Sequence, residues 1–469
     1  MKKQHIALVI SLLALSSAAS AQDKFQGGYF LDNFSYNYRL NPSLMAERSF
    51  FGLGMGNIEA GLASDISVGT LLFPNADGTG LVTGLNKNVS ADQFLSGLKQ
   101  DNALGMDAGL NVFSCGRRKE NSFFTFELNL RADVGASLPY ELFSFLKQGS
   151  GTDGSYDLSG FKAGVKSYAE IAVGGAHVFA GGKLTLGARV KGLVGIAAAD
   201  LTLDQAVATI NGSEISSELN GGARIACAPL SLTNDKDGKL AMAFDQTALS
   251  PSGYGAAIDL GATWRPISGL SLTAGINDLG GIKWNYNALA KTAGSGSFNG
   301  FNDVDTDTDF NKELESATDS FKNLINLQAV SGNESEFEML AFTANAGARY
   351  KLPFLSSVSF GAFGIYHFDS ISPYWDARLG ATATPFDFFS FTANYGFTPQ
   401  GNVLGLAASV SLFFVNAYFG LDSYVGRMTA YPVEGLNVPV YGGVPVPVDP
   451  FRFKFTFGVN IQLGHRFKA

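Results

Sequence analysis

The sequence predicts an all-β fold: a transmembrane antiparallel up-and-down β-barrel of about 14 strands, with a separate N-terminal segment and long extracellular loops. Three observations predict it. Apolar and polar residues alternate over runs longer than soluble strands usually reach. Glycine is enriched, at 56 of 469 residues, or about 12% against a usual ~7%. It comes with 39 Phe, 16 Tyr and only 16% charged residues, too apolar and aromatic for a disordered chain. Finally, an export signal opens the chain, and no later stretch holds 18 consecutive apolar residues. The formal charge of −8 makes nucleic acid an improbable partner.

Taken in order, residues 1–21 read as a signal peptide. Lys2 and Lys3 form the basic region, Ile6 to Leu15 the apolar core, and Ala19-Ser20-Ala21 the cleavage site before Gln22. Gln follows the cut rather than Cys, so no lipid anchor is expected. Residues 22–48 form the second unit. They carry Phe25, Tyr29, Phe30, Phe34, Tyr36 and Tyr38, then Asn41-Pro42, and do not alternate over a full span. A periplasmic tail and a plug folded into the lumen are both open for them. Residues 49–469 form the barrel.

Within the barrel the period is two. At the C-terminus Phe451, Phe453, Phe455, Phe457, Val459, Ile461 and Leu463 share one face, opposite Arg452, Lys454, Thr456, Gly458, Asn460, Gln462 and Gly464. The same alternation runs through 123–134, 183–193, 342–352 and 390–397. A soluble sandwich has shorter strands and leaves the aromatic surplus unexplained, whereas a membrane barrel places aromatic girdles at both interfaces. The runs Gly261-Ala-Thr-Trp264-Arg-Pro266, Gly347-Ala-Arg-Tyr350-Lys-Leu-Pro353 and Gly380-Ala-Thr-Ala-Thr-Pro385 repeat a strand end followed by a Pro-containing turn. Short turns are expected near 114–121, 179–182, 266–269, 353–356, 385–387 and 412–414. Long connections are expected at 58–103, 135–162, 198–253, 278–340 and 423–449. Strands then start near 49, 104, 122, 163, 183, 254, 269, 341, 356, 374, 387, 402, 414 and 450. Extra hairpins are possible within 64–73 and 201–244. Helices are expected at Glu141–Leu146 and from Phe310 to Ile325, both in outer loops, as packed caps or as lids.

Alternation points Glu127, Arg131, Asp133, Lys166, Glu170, Arg189, Lys191, Asp259, Arg349, Lys351, Asp376, Arg378, Arg452 and Lys454 into the lumen. Facing lipid at the midplane, each Arg or Lys would cost roughly 2–4 kcal/mol. Both signs are present, which suits ion-paired networks holding a plug, or a hydrated lumen. No enzyme is expected: His177, His367 and His465 lie far apart in the strand map, and no Ser/His/Asp set or metal pair can be argued. No cofactor is expected. Asp303, Asp305, Asp307 and Asp309 alternate like the start of a calcium loop, but the turn Gly and closing Glu are missing. They equally serve as a solvated acidic run before a helix. Cys115 and Cys227 are read as two thiols, with a bridge left open.

The segment Tyr36–Leu40 and Asn41-Pro42-Ser43-Leu44-Met45, just before the first strand, resembles the FadL-like long-chain fatty-acid transporters of the outer membrane, which have fourteen strands and a hatch with an Asn-Pro-Ala-like motif. A closer resemblance is to an uncharacterised Bacteroidota family of predicted FadL-like barrels. It is carried by Gly255 to Trp264, Ile276-Asn277-Asp278-Leu279-Gly280 and Trp284. The C-terminal Phe467-Lys468-Ala469 departs from the aromatic end usual in barrels. The resemblance implies an integral protein of a Gram-negative outer membrane that passes small hydrophobic, fatty-acid-like compounds passively. Their apolar pocket would draw on Phe25, Phe30, Phe34 and Phe143, with Asn41 and Pro42 as the hatch motif. Lipid is the expected surrounding, and a monomer the expected state. The alternatives are a scaffold or accessory of a secretion or surface-assembly complex, with a partner protein on the long loops, and a general porin.

Overall fold

The computed structural model describes residues 24–74, 81–148, 153–211, 214–236, 238, 240–292, 295–298, 325–369, 373–431 and 444–464. The signal peptide, the aspartates at 303–309, the helix expected from Phe310 except for Ile325, and Phe467–Ala469 lie outside the described residues.

Fourteen antiparallel strands close on themselves. They are β1 (Ser49–Leu53 and Ile58–Ser64), β2 (Asp101–Lys119), β3 (Ser122–Pro139), β4 (Phe161–Phe179), β5 (Leu184–Asn211), β6 (Gly253–Trp264) and β7 (Leu270–Tyr286). The second half holds β8 (Phe342–Lys351), β9 (Val358–Phe368), β10 (Tyr374–Phe386), β11 (Phe389–Thr398), β12 (Gly401–Leu412), β13 (Val415–Val425) and β14 (Phe451–Leu463). Each pairs with the next. Both parts of β1 pair with β2 on one side and β14 on the other, which closes the ring. Closure leaves no unpaired edge, a requirement in hydrocarbon where backbone groups find no water.

The alternating sequence fixes which face is which. Phe124, Ile171, Val190, Leu260, Phe360, Leu379, Phe419 and Phe453 are exposed on the outside. Their polar neighbours Thr125, Glu170, Arg189, Asp259, Ser359, Arg378 and Lys454 are buried inside. An apolar exterior around a polar interior is stable only in a membrane, and the closed even-stranded barrel places the protein in an outer membrane. No described helix is long and apolar enough to cross one.

The strand starts read from the sequence fall close to those observed, with one correction. The first strand does not end near residue 57. It breaks at Gly54, whose φ of +69° suits glycine, and resumes at Ile58, so the first long connection begins after Ser64. Extra hairpins do occur, in pairs that keep the parity: 72–74 with 81–83, and Leu230–Asn234 with Leu240–Phe244. Strand β5 runs on to Asn211 and pairs there with Glu214–Ala226, which in turn pairs with Ala288–Thr292 and Ser295–Phe298. This sheet stands beyond the barrel on its long-loop side. The helices α1 (Val68–Leu71), α2 (Ala91–Leu95) and α3 (Tyr140–Gln148) belong to the same side. Ser90 and Gln93 make a capping box at the start of α2. Cys115 and Cys227 are free thiols.

Candidate functional site

Residues 24–48 lie inside the barrel, in contact with its wall. The strand β1 starts at the short-turn end, so this segment enters from the periplasmic side. It has little structure of its own, only the single 3-10 turns Gln26–Tyr29 and Asn37–Arg39. Its side chains are nonetheless almost wholly buried, because the barrel wall supplies their partners.

Three kinds of contact hold it. The first is aromatic. Tyr29 stacks on Phe363 at 4.3 Å, Phe34 meets Tyr418 edge-on at 4.7 Å, and Tyr38 meets Phe123 at 5.6 Å. The second is backbone recognition. Asn277 donates to the Leu40 carbonyl at 2.6 Å, Thr382 to the Phe30 carbonyl at 2.6 Å, and Asn41 Nδ2 donates to the Ala274 carbonyl at 2.9 Å. Asn41 Oδ1 also accepts from the Ser43 amide at 3.0 Å, an Asx turn that Pro42 favours. Glycines on the wall admit this turn. A Cβ at Gly187 would lie 2.7 Å from Ser43 N and closer still to the Pro42 carbonyl, and one at Gly261 would overlap the Asn41 amide. Here the glycine surplus has a purpose: bare backbone on the wall lets another backbone approach.

The third is a buried ion network. Arg39 Nε donates to Glu127 at 2.9 Å and its Nη2 to Asn129; Tyr38 donates to Glu127 at 2.8 Å. Arg189 joins Glu127 to Asp259, the latter at 2.7 Å. Lys191 joins Asp259, at 2.7 Å, to Asp278, and Lys24 reaches Asp278 at 2.8 Å. Arg131 pairs with Glu170 at 3.2 Å, and Glu59 stands 3.7 Å from Arg39. Lys24, Arg39, Arg131, Arg189 and Lys191 are thus matched by Glu59, Glu127, Glu170, Asp259 and Asp278. Two of the five cations belong to the plug. Burial pulls the Lys24 ammonium below its ordinary range, with Asp278 opposing the shift.

A second latch lies nearer the turns. Asp32 accepts from Arg349 at 2.6 Å and from Thr384 at 2.7 Å. Burial raises the Asp32 carboxyl, but the Arg349 guanidinium and the Thr384 hydroxyl outweigh it and leave the pKa below the usual value. Across the lumen Arg378 bridges Asp376 at 2.8 Å and Asp422 at 2.7 Å.

The candidate residues therefore divide. Glu127, Arg131, Glu170, Arg189, Lys191 and Asp259 come together in one network, while Arg349 and Arg378 sit in separate clusters. Asp133 is half-buried on β3, and Lys351 is exposed at the end of β8. Phe25 and Phe34 share one buried cluster in the plug, and Phe30 belongs to another with Tyr29 and Phe363. Phe143 lies apart from all three, in the outer-loop cluster with Ile66, Phe94, Leu142, Phe145 and Leu203. Sequence reading missed Lys24, Arg39 and Asp278. Asp278 lies at a register shift between β6 and β7, with φ +62°, so both it and Asn277 are buried in the lumen. The Asn-Asp pair breaking an alternating strand was the available signal. Among the described residues no group of His, Cys, Asp and Glu could hold a metal.

Residues 42–422 match a family described as a family of unknown function, DUF5723. No curated protein matches. Among solved structures, the Ralstonia pickettii toluene transporter TbuX is 10% identical with a TM-score of 0.43, covering 96% of this chain and 98% of that one. The Pseudomonas putida toluene transporter TodX is 8% identical with a TM-score of 0.46, covering 95% and 98%. A Pseudomonas aeruginosa FadL homologue is 11% identical with a TM-score of 0.40, covering 93% and 96%.

Proposed function

We propose that this chain, which belongs to the DUF5723 family of unknown function, is a plug-gated outer-membrane channel passing small hydrophobic, fatty-acid-like compounds down a gradient. The observation that supports the reading is how residues 24–48 are held inside the barrel. A segment with almost no internal structure is held in it by side-chain contacts, stacked rings and ion pairs to the wall. Such a segment can shift without unfolding the barrel, because every strand keeps its two neighbours.

Charge and polarity argue against small inorganic ions as cargo. The lumenal cations and carboxylates of the main network are matched one to one, so the wall offers ions little net field. The apolar surface lies instead under the outer loops. There α2 and α3 pack Phe94 against Phe143 at 6.1 Å, beside Leu142 and Leu203. In this reading a compound partitions into that cluster, reaches the plug, and leaves as Phe25, Phe30 and Phe34 yield with Asn41 and Pro42. The protein acts as a monomer.

The test is mass spectrometry of compounds that co-purify with the mature protein in mild detergent, beside a variant lacking residues 22–45. A defined hydrophobic species retained by the full protein and lost from the variant supports the channel. No enriched species in either sinks it. A second reading, a scaffold for a secretion or surface-assembly complex, is favoured by the sheet that β5 and Glu214–Ala226 raise above the barrel. Cross-linking of that sheet to a stable partner in cells would support it, and its absence would count against it.

A further inference from the structure

The six short turns fall into two groups around the rim. Between β2 and β3, and between β4 and β5, the exposed residues are Arg117, Lys119, Glu120, Asn121, Ala180, Gly181, Gly182 and Lys183, with Phe179 at the end of β4 the one large apolar group among them. From β6 onward the tips change character. Ile267 is exposed in the turn from β6 to β7, and Phe354 and Leu355 in that from β8 to β9. Phe386 and Phe388 mark the turn from β10 to β11, and Phe413 and Phe414 that from β12 to β13. Phe354 is 84% exposed and Phe413 is 95% exposed, more than any large apolar residue of the barrel strands. Four consecutive short turns therefore expose large apolar groups beside the usual turn residues Pro266, Ser268, Gly269, Pro353, Ser356, Pro385 and Asp387.

The local backbone makes this harder to dismiss as chance. Phe413 has φ +54°, a left-handed conformation that disfavours bulky side chains and that Gly or Asn ordinarily fills. A fully exposed aromatic ring is thus kept at a position that works against it. Phe386 and Phe388 stack at 5.3 Å with their planes 7° apart, so that tip is a preformed apolar wedge. The apolar tips also continue the lipid-facing belt directly. Phe360 and Leu379 on β9 and β10, and Phe391 and Phe419 on β11 and β13, lead down to them on the outer face.

We propose that the turns joining β6–β7, β8–β9, β10–β11 and β12–β13 are seated in the phospholipid surface of the periplasmic leaflet, while the charged turns joining β2–β3 and β4–β5 stand in water. Continuity with the belt decides for lipid over a protein partner, since Phe360, Leu379, Phe391 and Phe419 carry the apolar outer face down toward these tips, with Lys351 and Asp387 the exposed charges among them. The consequence is a barrel anchored deeper on one side. Its periplasmic mouth, where residues 24–48 enter, faces the membrane on one flank and open periplasm on the other.

Spin labels test this in the full mature chain, reconstituted in phosphatidylethanolamine/phosphatidylglycerol vesicles. Cys115 and Cys227 are first replaced by Ser. Single cysteines at Ser268, Ser356, Lys119 and Lys183, all exposed and none an apolar tip, then carry the label. Ser268 and Ser356 should be accessible to oxygen and protected from a water-soluble nickel complex, and Lys119 and Lys183 should show the reverse. In a Phe354→Ser, Phe413→Ser background the label at Ser356 should move toward nickel accessibility. Equal nickel accessibility at all four sites would overturn the proposal and leave the tips as a surface for a periplasmic protein. A label at Ser356 that is protected but indifferent to the two Ser replacements would also overturn it.

Discussion

Replacing Gly187 by Val should loosen the plug while leaving the barrel intact. Gly187 lies on β5 opposite Gly261 and Ala176, its α-carbon facing the Asn41-Pro42 turn. A Cβ there would stand 2.7 Å from Ser43 N, against a comfortable separation of about 3.5 Å, and its neighbours are backbone atoms that cannot swing away. The turn must retreat by roughly 1 Å. That displacement breaks three bonds: Asn41 to the Ala274 carbonyl at 2.9 Å, Ser43 to Thr263 at 2.7 Å, and Asn277 to the Leu40 carbonyl at 2.6 Å. At about 1 kcal/mol net for each, docking weakens by about 3 kcal/mol. With tenfold for every 1.4 kcal/mol, the undocked population should rise on the order of 100-fold. The strand itself should not suffer, since Val is the better strand residue. Hydrogen exchange read by mass spectrometry separates the two. Peptides covering 24–48 should exchange on the order of 100-fold faster, and peptides of β9 to β14 should not change. Unchanged exchange in 24–48, or a uniform rise over the whole barrel, would show that Gly187 does not seat the Asn41-Pro42 turn.

Three further outcomes follow from the same contacts. Arg39→Ala removes the bond to Glu127, which keeps Arg189 and Tyr38, so docking should weaken by about 2 kcal/mol, and a double-mutant cycle with Glu127→Gln should show coupling of similar size. Asp32 titrates below its free value of about 4, so its contribution is complete above about pH 4 and is lost as pH falls through the lower docked value. Pepsin should therefore cut residues 24–48 increasingly below pH 4, and Asp32→Asn should flatten that dependence. Asp278→Ala removes the carboxylate shared by Lys24 and Lys191, leaving Lys24 without its ion partner, and should destabilise plug docking by about 3 kcal/mol or more in chemical denaturation followed at the plug.

How far the sequence reached is instructive element by element. In a membrane barrel both faces of a strand are specified, one by lipid and one by the lumen, so the period-two pattern announces β3, β5, β8, β11 and β14 with few exceptions. That is also why the lumenal positions of Glu127, Arg189, Lys191 and Asp259 were legible. Where a strand breaks the period, the reading fails. The interruption after Leu53 hid the second half of β1, and the bulge at Asp278 turned an apparently outward residue inward. The plug was the least legible part. Residues 24–48 have no period, because their partners are scattered over at least eight strands, so nothing local signals that Lys24 and Arg39 end the ion network. The distance between Phe143 and the plug aromatics is likewise a matter of three-dimensional topology, since α3 is carried on an outer loop and the plug enters from the opposite end.

Whether residues 22–45 close the lumen decides between a gated channel and an open or inert barrel. The direct measurement is ionic conductance in planar bilayers, comparing the mature chain with one lacking those residues, each first shown to be folded by heat-modifiable migration. The full-length protein should be closed apart from brief openings, and the truncated one should conduct steadily. Two silent barrels, or two that conduct alike, would contradict gating by this segment.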